Sequence, residues 1–176
     1  MSYMPTDVDS PTVLSLRPNK FKAAVREVVT AVGGVTKVDI NRLVRYDEDH
    51  VPLWGIPQLH IDPDVKNAGM NKTPDIRTRA IVPRWYSKLT LSYVTPNLNA
   101  HAIMNLLANA GEINGIGDKR PQKGAGSFGR FQIVQPNDPR IAQIVKTGGR
   151  VAQQAAIDNP VPYDERAARL LDIWDK

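Results

Sequence analysis

The sequence predicts an α+β fold, with two strand–helix–strand units and a C-terminal helical extension. Residues 88–134 show the pattern strand, helix, glycine-rich loop and strand, and the first half of the chain offers a second such unit. Two units of this kind make a βαββαβ sheet, the ferredoxin-like or RRM-like arrangement. The predicted domains are a disordered N-terminus over residues 1–11, a ferredoxin-like domain over 12–135 and a helical extension over 136–176.

The first half of the chain supplies the first predicted unit. Thr12 to Leu16 favours a short strand, and Pro18 suits the first turn of the helix that follows. Gly33-Gly34 ends that helix, and Val35 to Ile40 then alternates as a strand before the acidic turn Tyr46–His50. The apolar residues at helical spacing are Phe21, Val25, Val28, Val29 and Val32.

Prolines interrupt the middle of the chain. Val51 to Ile61 contains two of them, so we expect no regular central strand there. Asp62 to Asp75 is polar and is predicted to be a linker or an ordered loop. Ile81 to Val94 is broken by Pro83 and then alternates as a strand.

The second predicted unit ends in the helical extension. Asn97 or Asn99 caps its helix, and Gly111 ends it. After the loop, residues 128–134 favour a strand, and residues 138–176 predict two or three amphipathic helices split by prolines. The last helix carries apolar residues that dock it on the domain or contact a neighbouring subunit: Leu170, Leu171, Ile173 and Trp174.

Composition limits the class of protein. The 176 residues include no cysteine, which excludes disulfides and thiolate metal sites. No apolar run approaches the roughly 18 residues of a membrane span, and the polar, acidic N-terminus is unlike a signal peptide. We therefore expect a cytoplasmic protein without a cofactor, a metal or a membrane contact.

Positive charge is concentrated in the middle of the chain. The net charge is +5, yet residues 69–135 carry nine Lys/Arg and three Asp/Glu, a net of +6. Residues 1–68 have a net charge of −1, and the last 41 residues cancel. Such a distribution is typical of a nucleic-acid-binding surface, although a solvated basic face gives the same pattern.

Glycine is concentrated with this charge in the stretch Gly111–Val134. Six of the 12 glycines fall in its first 19 positions, and the stretch as a whole contains four cations. Glycine permits φ > 0 and close approach, and successive N–H groups in such turns form anion-binding concavities. The composition favours phosphate as the ligand, and a flexible surface loop is the alternative. The candidate binding residues are Gly115, Gly117, Lys119, Arg120, Lys123, Gly124, Gly126, Gly129 and Arg130.

Further candidates precede the loop. Arg77, Arg79, Arg84 and Lys88 add positive charge. Trp85 could stack on a base, because Trp85 and Tyr86 point to opposite faces of a strand and one must leave the core. Packing in the core is the alternative for either ring.

Histidines offer little for catalysis. The chain has only His50, His60 and His101, and none matches a catalytic motif. A metal site needs three or four converging ligands, which His60 beside Asp62 does not supply. We predict no enzymatic activity, with a metal-independent nuclease left open.

The glycine pattern carries a resemblance. Gly115-Ile116-Gly117, a basic spacer and residues 124–131 (GAGSFGRF) resemble the signature loop of the RAMP superfamily, the ferredoxin-fold subunits of CRISPR effector complexes. The fuller string GIGDKRP…GSFGRF, preceded by Arg77-Thr78-Arg79, also resembles small uncharacterised proteins of tailed phages. The match covers residues 73–134. Residues 1–60 and the C-terminal helices have no counterpart in it.

The resemblance implies binding of single-stranded RNA or DNA through its backbone, and a phage origin. Superfamily members line up along a nucleic acid, so we expect a homo-oligomer, with Leu171 and Trp174 as candidate contacts. The alternative is an interaction protein that uses its basic face on an acidic partner, such as a host defence complex. The third hypothesis is a nuclease, which product formation in EDTA would identify.

Overall fold

The computed structural model describes residues 2–3, 8–32, 34–65, 73–123 and 126–174. Their strands are β1 (Ser2–Tyr3), β2 (Leu14–Leu16), β3 (Val44–Tyr46), β4 (Val51–Pro52), β5 (Gln58–Val65), β6 (Pro74–Ile81) and β7 (Leu91–Tyr93). Their helices are α1 (Asn19–Val32), α2 (Lys37–Leu43), α3 (Ala100–Asn109), α4 (Pro139–Thr147), α5 (Arg150–Asp158) and α6 (Glu165–Trp174). A π-helical turn, Ala110–Asn114, and a 3-10 turn, Pro121–Lys123, complete the described elements.

The strands confirm an α+β fold but pair as three small sheets. The orders are β1-β2-β4, β3-β7 and β5-β6, and the β2-β4, β3-β7 and β5-β6 pairs are antiparallel. In the described residues, the strands therefore do not join in a single βαββαβ sheet. No described helix combines the length and apolar character that crossing a membrane requires.

The chain forms two compact units, each assembled from separate segments. Unit 1 comprises Met1–Ser2, Ser15–Pro52 and Ser87–Pro139, and unit 2 comprises Tyr3–Leu14, Leu53–Tyr86 and Arg140–Lys176. These units do not follow the predicted boundaries at residues 11 and 135. Within the N-terminus predicted to be disordered, β1 and a turn at Val8-Asp9 are described, and residues 1 and 4–7 lie outside the described residues.

Unit 1 has a core built on α1 and α3. The predicted stripe of α1 is buried at Phe21, Val25, Val28 and Val29. α3 is buried at Ile103, Leu106 and Leu107, and its cap is Asn99, one of the two predicted, whose Oδ1 accepts the Ala102 N–H at 2.8 Å. Both helices are confirmed, but the predicted end of the second at Gly111 is wrong: Gly111 lies inside the π-helical turn Ala110–Asn114, and Gly115, with φ +63°, is the cap.

The predicted strand Val35–Ile40 is wrong, because this segment begins α2. Thr36 caps the helix: its Oγ1 accepts the Asp39 N–H at 3.1 Å, and Asp39 Oδ2 accepts the Thr36 N–H at 3.0 Å. The Thr36 hydrogen bonds hold the pKa of the Asp39 carboxyl below its ordinary value. Only Ile40 is fully buried, whereas Val38 is 52% exposed. The alternation of apolar residues therefore did not mark a sheet face, and the capping box decided the structure.

The predicted strand at residues 128–134 is also wrong. These residues form no strand. The Phe131 N–H instead donates to the Gly111 carbonyl at 3.3 Å, and the Phe131 ring meets Phe21 edge-on, with centroids 5.2 Å apart. The segment thus packs on the ends of helices rather than on a sheet edge.

In unit 2, the residues predicted as a linker contribute to a hairpin. β5 and β6 pair from Gln58↔Ile81 to Val65↔Pro74, so strands take up both ends of the predicted linker, at Asp62–Val65 and Pro74–Asp75. Residues 66–72 of that prediction lie outside the described residues. β5 also enters the proline-containing stretch that was predicted to lack a regular strand. Its register places Asp62 opposite Arg77, and ion pairs between the strands offset the polarity that suggested a loop.

A buried glutamine holds unit 2 together. Gln153, on α5, is 0% exposed. Its Oε1 accepts the backbone N–H groups of Val13 and Leu14 at 2.8 and 3.0 Å. Its Nε2 lies within 3.1 Å of three carbonyl oxygens, those of Leu53, Gly55 and Gly148. One side chain therefore satisfies backbone groups from three separate stretches of the chain.

The C-terminal helices confirm the predicted amphipathic extension, although they belong to unit 2 with earlier segments. The Leu59 N–H donates to Val161 O, and the Tyr163 N–H donates to Leu59 O, both at 2.8 Å, which places the start of α6 beside β5. Asp164 Oδ1 accepts the Ala167 N–H at 2.8 Å. This bond, together with the nearby His60 and Arg166, holds the pKa of the Asp164 carboxyl below its ordinary value.

Replacing Gln153 by leucine should destabilise the protein by at least about 3 kcal/mol, because several buried N–H and C=O groups lose their partner while the volume is kept. The measurement is urea unfolding followed by circular dichroism. The control is Gln154→Leu, on an exposed neighbouring position, which should stay within about 0.5 kcal/mol of the parent. Equal stability of the two variants would contradict the role assigned to Gln153.

Candidate nucleic-acid interface

The glycine-rich stretch of unit 1 folds back on itself. Its second half, from Gly126 to Phe131, lies against residues 111–119. Three backbone hydrogen bonds join the two halves: Phe131 N–H to Gly111 O at 3.3 Å, Ile116 N–H to Gly129 O at 2.8 Å and Phe128 N–H to Lys119 O at 3.3 Å. We call residues 111–131 the closed loop.

Three glycines allow the two halves to meet. A Cβ added at Gly111 would overlap the Phe131 carbonyl oxygen, one at Gly126 the Lys119 oxygen and one at Gly129 the Ile116 oxygen. At these positions the missing side chain accommodates another stretch of backbone. Their glycines are therefore explained by contacts inside the loop, without a ligand.

The other predicted glycines have different surroundings. Gly115 has φ +63°, and a Cβ there would lie 3.0 Å from the Gly129 carbonyl oxygen. Gly117 has φ +88° but no atom within 4 Å of a Cβ, so only its backbone conformation favours glycine. Gly124 lies outside the described residues, as does the side chain of Lys123.

The base of the loop is fixed to α1. Asn114, in the π-helical turn, is 5% exposed, and its Nδ2 donates to the Ala24 carbonyl oxygen at 2.7 Å. Ile116, at 8% exposure, is also buried. The sequence predictions missed both anchors. The asparagine directly before Gly115 was the available signal, since a polar side chain at a helix end often bonds to backbone.

The described cations of the loop have different local partners. Arg120 donates from Nη1 to Gly117 O at 3.0 Å and from Nε to Gln122 Oε1 at 2.9 Å, so it helps to hold the loop's shape. Arg130 Nη1 lies 3.5 Å from Glu112 Oε1, with side chains 55% and 66% exposed. Such an exposed pair contributes little and can be exchanged for another anion. Lys119 takes φ +51°, an uncommon conformation for lysine.

Arg77 and Arg79 lie in unit 2, within a network of carboxylates. Arg79 pairs with Asp62 and Asp64 at 3.2 and 3.0 Å, and Arg77 pairs with Asp64 and Asp75 at 3.3 and 3.2 Å. Asp62 and Asp64 precede the window in which positive charge was counted. The hairpin charge is therefore largely neutralised locally, and these arginines are poor candidates for phosphate.

The remaining candidates are divided between the units. Arg84 and Trp85 belong to unit 2, and Lys88 belongs to unit 1. Arg84 and Lys88 are exposed, whereas Trp85 is half-buried. Tyr86 exchanges backbone hydrogen bonds with Trp54 at 2.8 and 3.0 Å. Among the candidates that the structure describes, those of the loop lie together within one unit.

The net positive charge is also divided unequally between the two units. Unit 1 holds twelve Lys/Arg and eight Asp/Glu, a net of +4, and unit 2 holds eleven and ten, a net of +1. The excess of positive charge thus belongs to the unit that contains the closed loop.

The histidines have separate local partners. His50 accepts a hydrogen bond from Arg17 at 3.3 Å, His60 lies 3.2 Å from Asp164, and His101 is exposed on α3. Within the part of the chain that the structure describes, no group of three or more His, Asp or Glu could hold a metal ion.

Comparison with protein-family models, curated proteins and solved structures finds no match to this chain. Function must therefore be inferred from the geometry and charge of the residues themselves.

Replacing Gly129 by alanine should destabilise unit 1 through overlap with the Ile116 carbonyl, in addition to the strain of φ +77°. Gly34→Ala is the matched control, because Gly34 has φ +80° and no atom within 4 Å of the added Cβ. The control substitution should lower the free energy of unfolding by about 1–2 kcal/mol, the usual cost of a left-handed conformation. We expect Gly129→Ala to lower the free energy of unfolding by at least about 2 kcal/mol more than the control in urea unfolding, since an overlap with backbone atoms forces the two halves of the loop apart. Equal destabilisation by the two substitutions would show that the two halves of the loop do not approach as described.

Proposed function

We propose that the protein binds single-stranded nucleic acid, RNA or DNA, through its phosphate backbone, and that the closed loop of unit 1 is the binding element. The observation that carries the proposal is the loop's construction. Backbone contacts at Gly111, Gly126 and Gly129 close the loop, so Lys119 and Arg130, which adjoin these contacts, project from a backbone that is held in place. Preorganised cations lose little conformational entropy when a ligand binds.

Local charge supports phosphate as the ligand. Lys119, Lys123 and Arg130 have only Glu112 and Asp118 as acidic neighbours in the loop. The pair between Arg130 and Glu112 is exposed, so a phosphate can replace the carboxylate at small cost. Arg120 stabilises the loop's conformation by donating to Gly117 O, and this hydrogen bond fixes the position of its charge.

The aromatic residues favour recognition of the backbone over recognition of bases. Phe131 packs edge-on against Phe21, so its ring contributes to the packing of unit 1. Contacts made mainly by lysine and arginine to phosphate carry no sequence information. Binding should therefore be similar for different sequences and strongly salt-dependent.

The resemblance to RAMP proteins and to tailed-phage proteins remains part of this proposal. Its support is the spacing of glycines and cations in residues 115–131, and a ferredoxin-like strand order is not required for it. On this proposal the protein has a phage origin and acts without catalysis in replication, recombination or interference with host defence. An acidic protein partner on the same basic surface is the competing function.

Replacing Lys119 and Lys123 together by alanine should weaken binding to single strands about tenfold and flatten the log–log salt dependence by about 1.4 units, because two phosphate contacts are lost. Arg120 is left in place because it bonds to Gly117 O. Fluorescence anisotropy with labelled oligo(dT), oligo(U) and a DNA duplex, over a series of salt concentrations, provides the measurement.

The control is the double variant Lys20→Ala and Arg42→Ala, which removes the same charge from exposed positions of α1 and α2 in unit 1. It should bind nearly as tightly as the parent and keep the parent's salt slope. Equal weakening by both variants would indicate a diffuse charge effect and contradict a site in the loop. No binding of single strands by the parent at low salt would reject nucleic acid in favour of the protein partner.

A further inference from the structure

Unit 2 carries an apolar groove between the β5-β6 hairpin and α6. Its volume is about 550 Å³. The walls are Ile61, Pro63 and Ile76 on the hairpin and Leu170 and Ile173 on the helix. Arg166, Arg169 and Glu165 add the charged groups.

The groove is apolar because the two faces of the hairpin differ in polarity. Successive residues of a strand point to opposite sides, and the register pairs Pro63 with Ile76. The opposite face carries the ion pairs of Arg77 and Arg79. The apolar face is covered only partly, because Ile61 is 4% exposed whereas Ile76 is 67% exposed.

The exposure of the groove indicates the size of its occupant. Ile173, on the helix side, is 69% exposed, like Ile76 on the hairpin side. Small-molecule sites bury most of their ligand, and a groove with two such open walls does not. An elongated element such as a helix fits an open apolar groove better.

The charges along α6 identify which helix is complementary. Glu165, Arg169 and Asp172 stand at positions i, i+4 and i+7, so they form one stripe along the helix beside Ile173. If two copies of α6 pack antiparallel with the two-fold axis midway between the levels of Leu170 and Leu171, Arg169 lies at the height of Asp172 of the second copy. The two-fold axis repeats this pair, so the stripe is complementary to itself.

Within one chain these charges are weakly engaged. Arg169 and Glu165 are 3.7 Å apart, with side chains 81% and 93% exposed. An exposed pair of this kind contributes little, so both groups can form new pairs at small cost.

We propose that α6 of a second copy covers this groove, which makes the protein a two-fold homodimer through antiparallel α6 helices. Ile173 and Leu170 form the apolar part of the interface, and two Arg169–Asp172 pairs set its register. Ala167 is 0% exposed, so Leu171, one turn further along, faces the chain's own unit and is not a main contact. The interface belongs to unit 2 and does not rest on the proposed nucleic-acid binding by unit 1.

Two charge-reversal variants provide the test, in the absence of nucleic acid. Arg169→Asp places like charges at both pairs of a homodimer, and so does Asp172→Arg. A mixture of the two variants instead restores opposite charges at both pairs of a heterodimer. Sedimentation velocity over a concentration series distinguishes the 19.5 kDa monomer from a dimer.

We expect the parent to dimerise, each variant alone to dimerise at least about tenfold more weakly, and the equimolar mixture to recover the parent's affinity. Lys146→Asp, which makes the same charge change on exposed α4, should leave the dimer intact. Circular dichroism of each variant shows whether folding is retained. A parent that stays monomeric at all concentrations would overturn the proposal. If the equimolar mixture dimerises no more tightly than either variant alone, the antiparallel register is overturned.

Discussion

In unit 1, two stretches of backbone lie so close together that only glycine fits between them. Gly129 meets the Ile116 carbonyl, Gly126 meets the Lys119 carbonyl, and Gly111 meets the Phe131 carbonyl. This approach closes the loop, places Phe131 against Phe21 on α1 and sets the positions from which the cations project. Both the packing of unit 1 and its proposed binding function depend on the same close contact.

In unit 2 the main constraint is different: backbone polar groups are buried where separate segments of the chain meet. Gln153 supplies an acceptor for two N–H groups and a donor amide beside three carbonyls, in a place where water is excluded. A buried amide that satisfies so many partners specifies one arrangement of the chain, because any other leaves polar groups unpaired. The hairpin and α6 are then positioned beside each other, and their incomplete contact leaves the apolar groove.

Local signals in the sequence predicted the long helices well. The apolar stripe of α1 and the Asn99 cap of α3 are determined by neighbouring residues, and the structure confirms both. The strands were less predictable. Residues 35–40 alternate like a strand, yet Thr36 and Asp39 cap a helix, and the polar segment from Asp62 becomes half of a hairpin through cross-strand ion pairs.

The candidate site was predicted in composition but not in its physical basis. The glycines and cations of residues 115–130 were recognised from the sequence, whereas the reason for three of the glycines lies in contacts with residues up to 20 positions away. Arg77 and Arg79 were counted as free positive charge because their partners Asp62 and Asp64 become neighbours only when the hairpin forms. The arrangement of Gln153 likewise joins residues 140 positions apart, which no local pattern reports.

The most direct test of the central claim is lysine reactivity in the unmodified protein. Acetylation of each lysine is followed by mass spectrometry with and without saturating single-stranded DNA or RNA. Lys119 and Lys123 should react several-fold more slowly in the complex, because phosphate contacts shield their amines. Lys20 and Lys146, exposed on α1 and α4, serve as internal references and should react at unchanged rates. Unchanged reactivity of Lys119 and Lys123 in a saturated complex would contradict the assignment of binding to the closed loop.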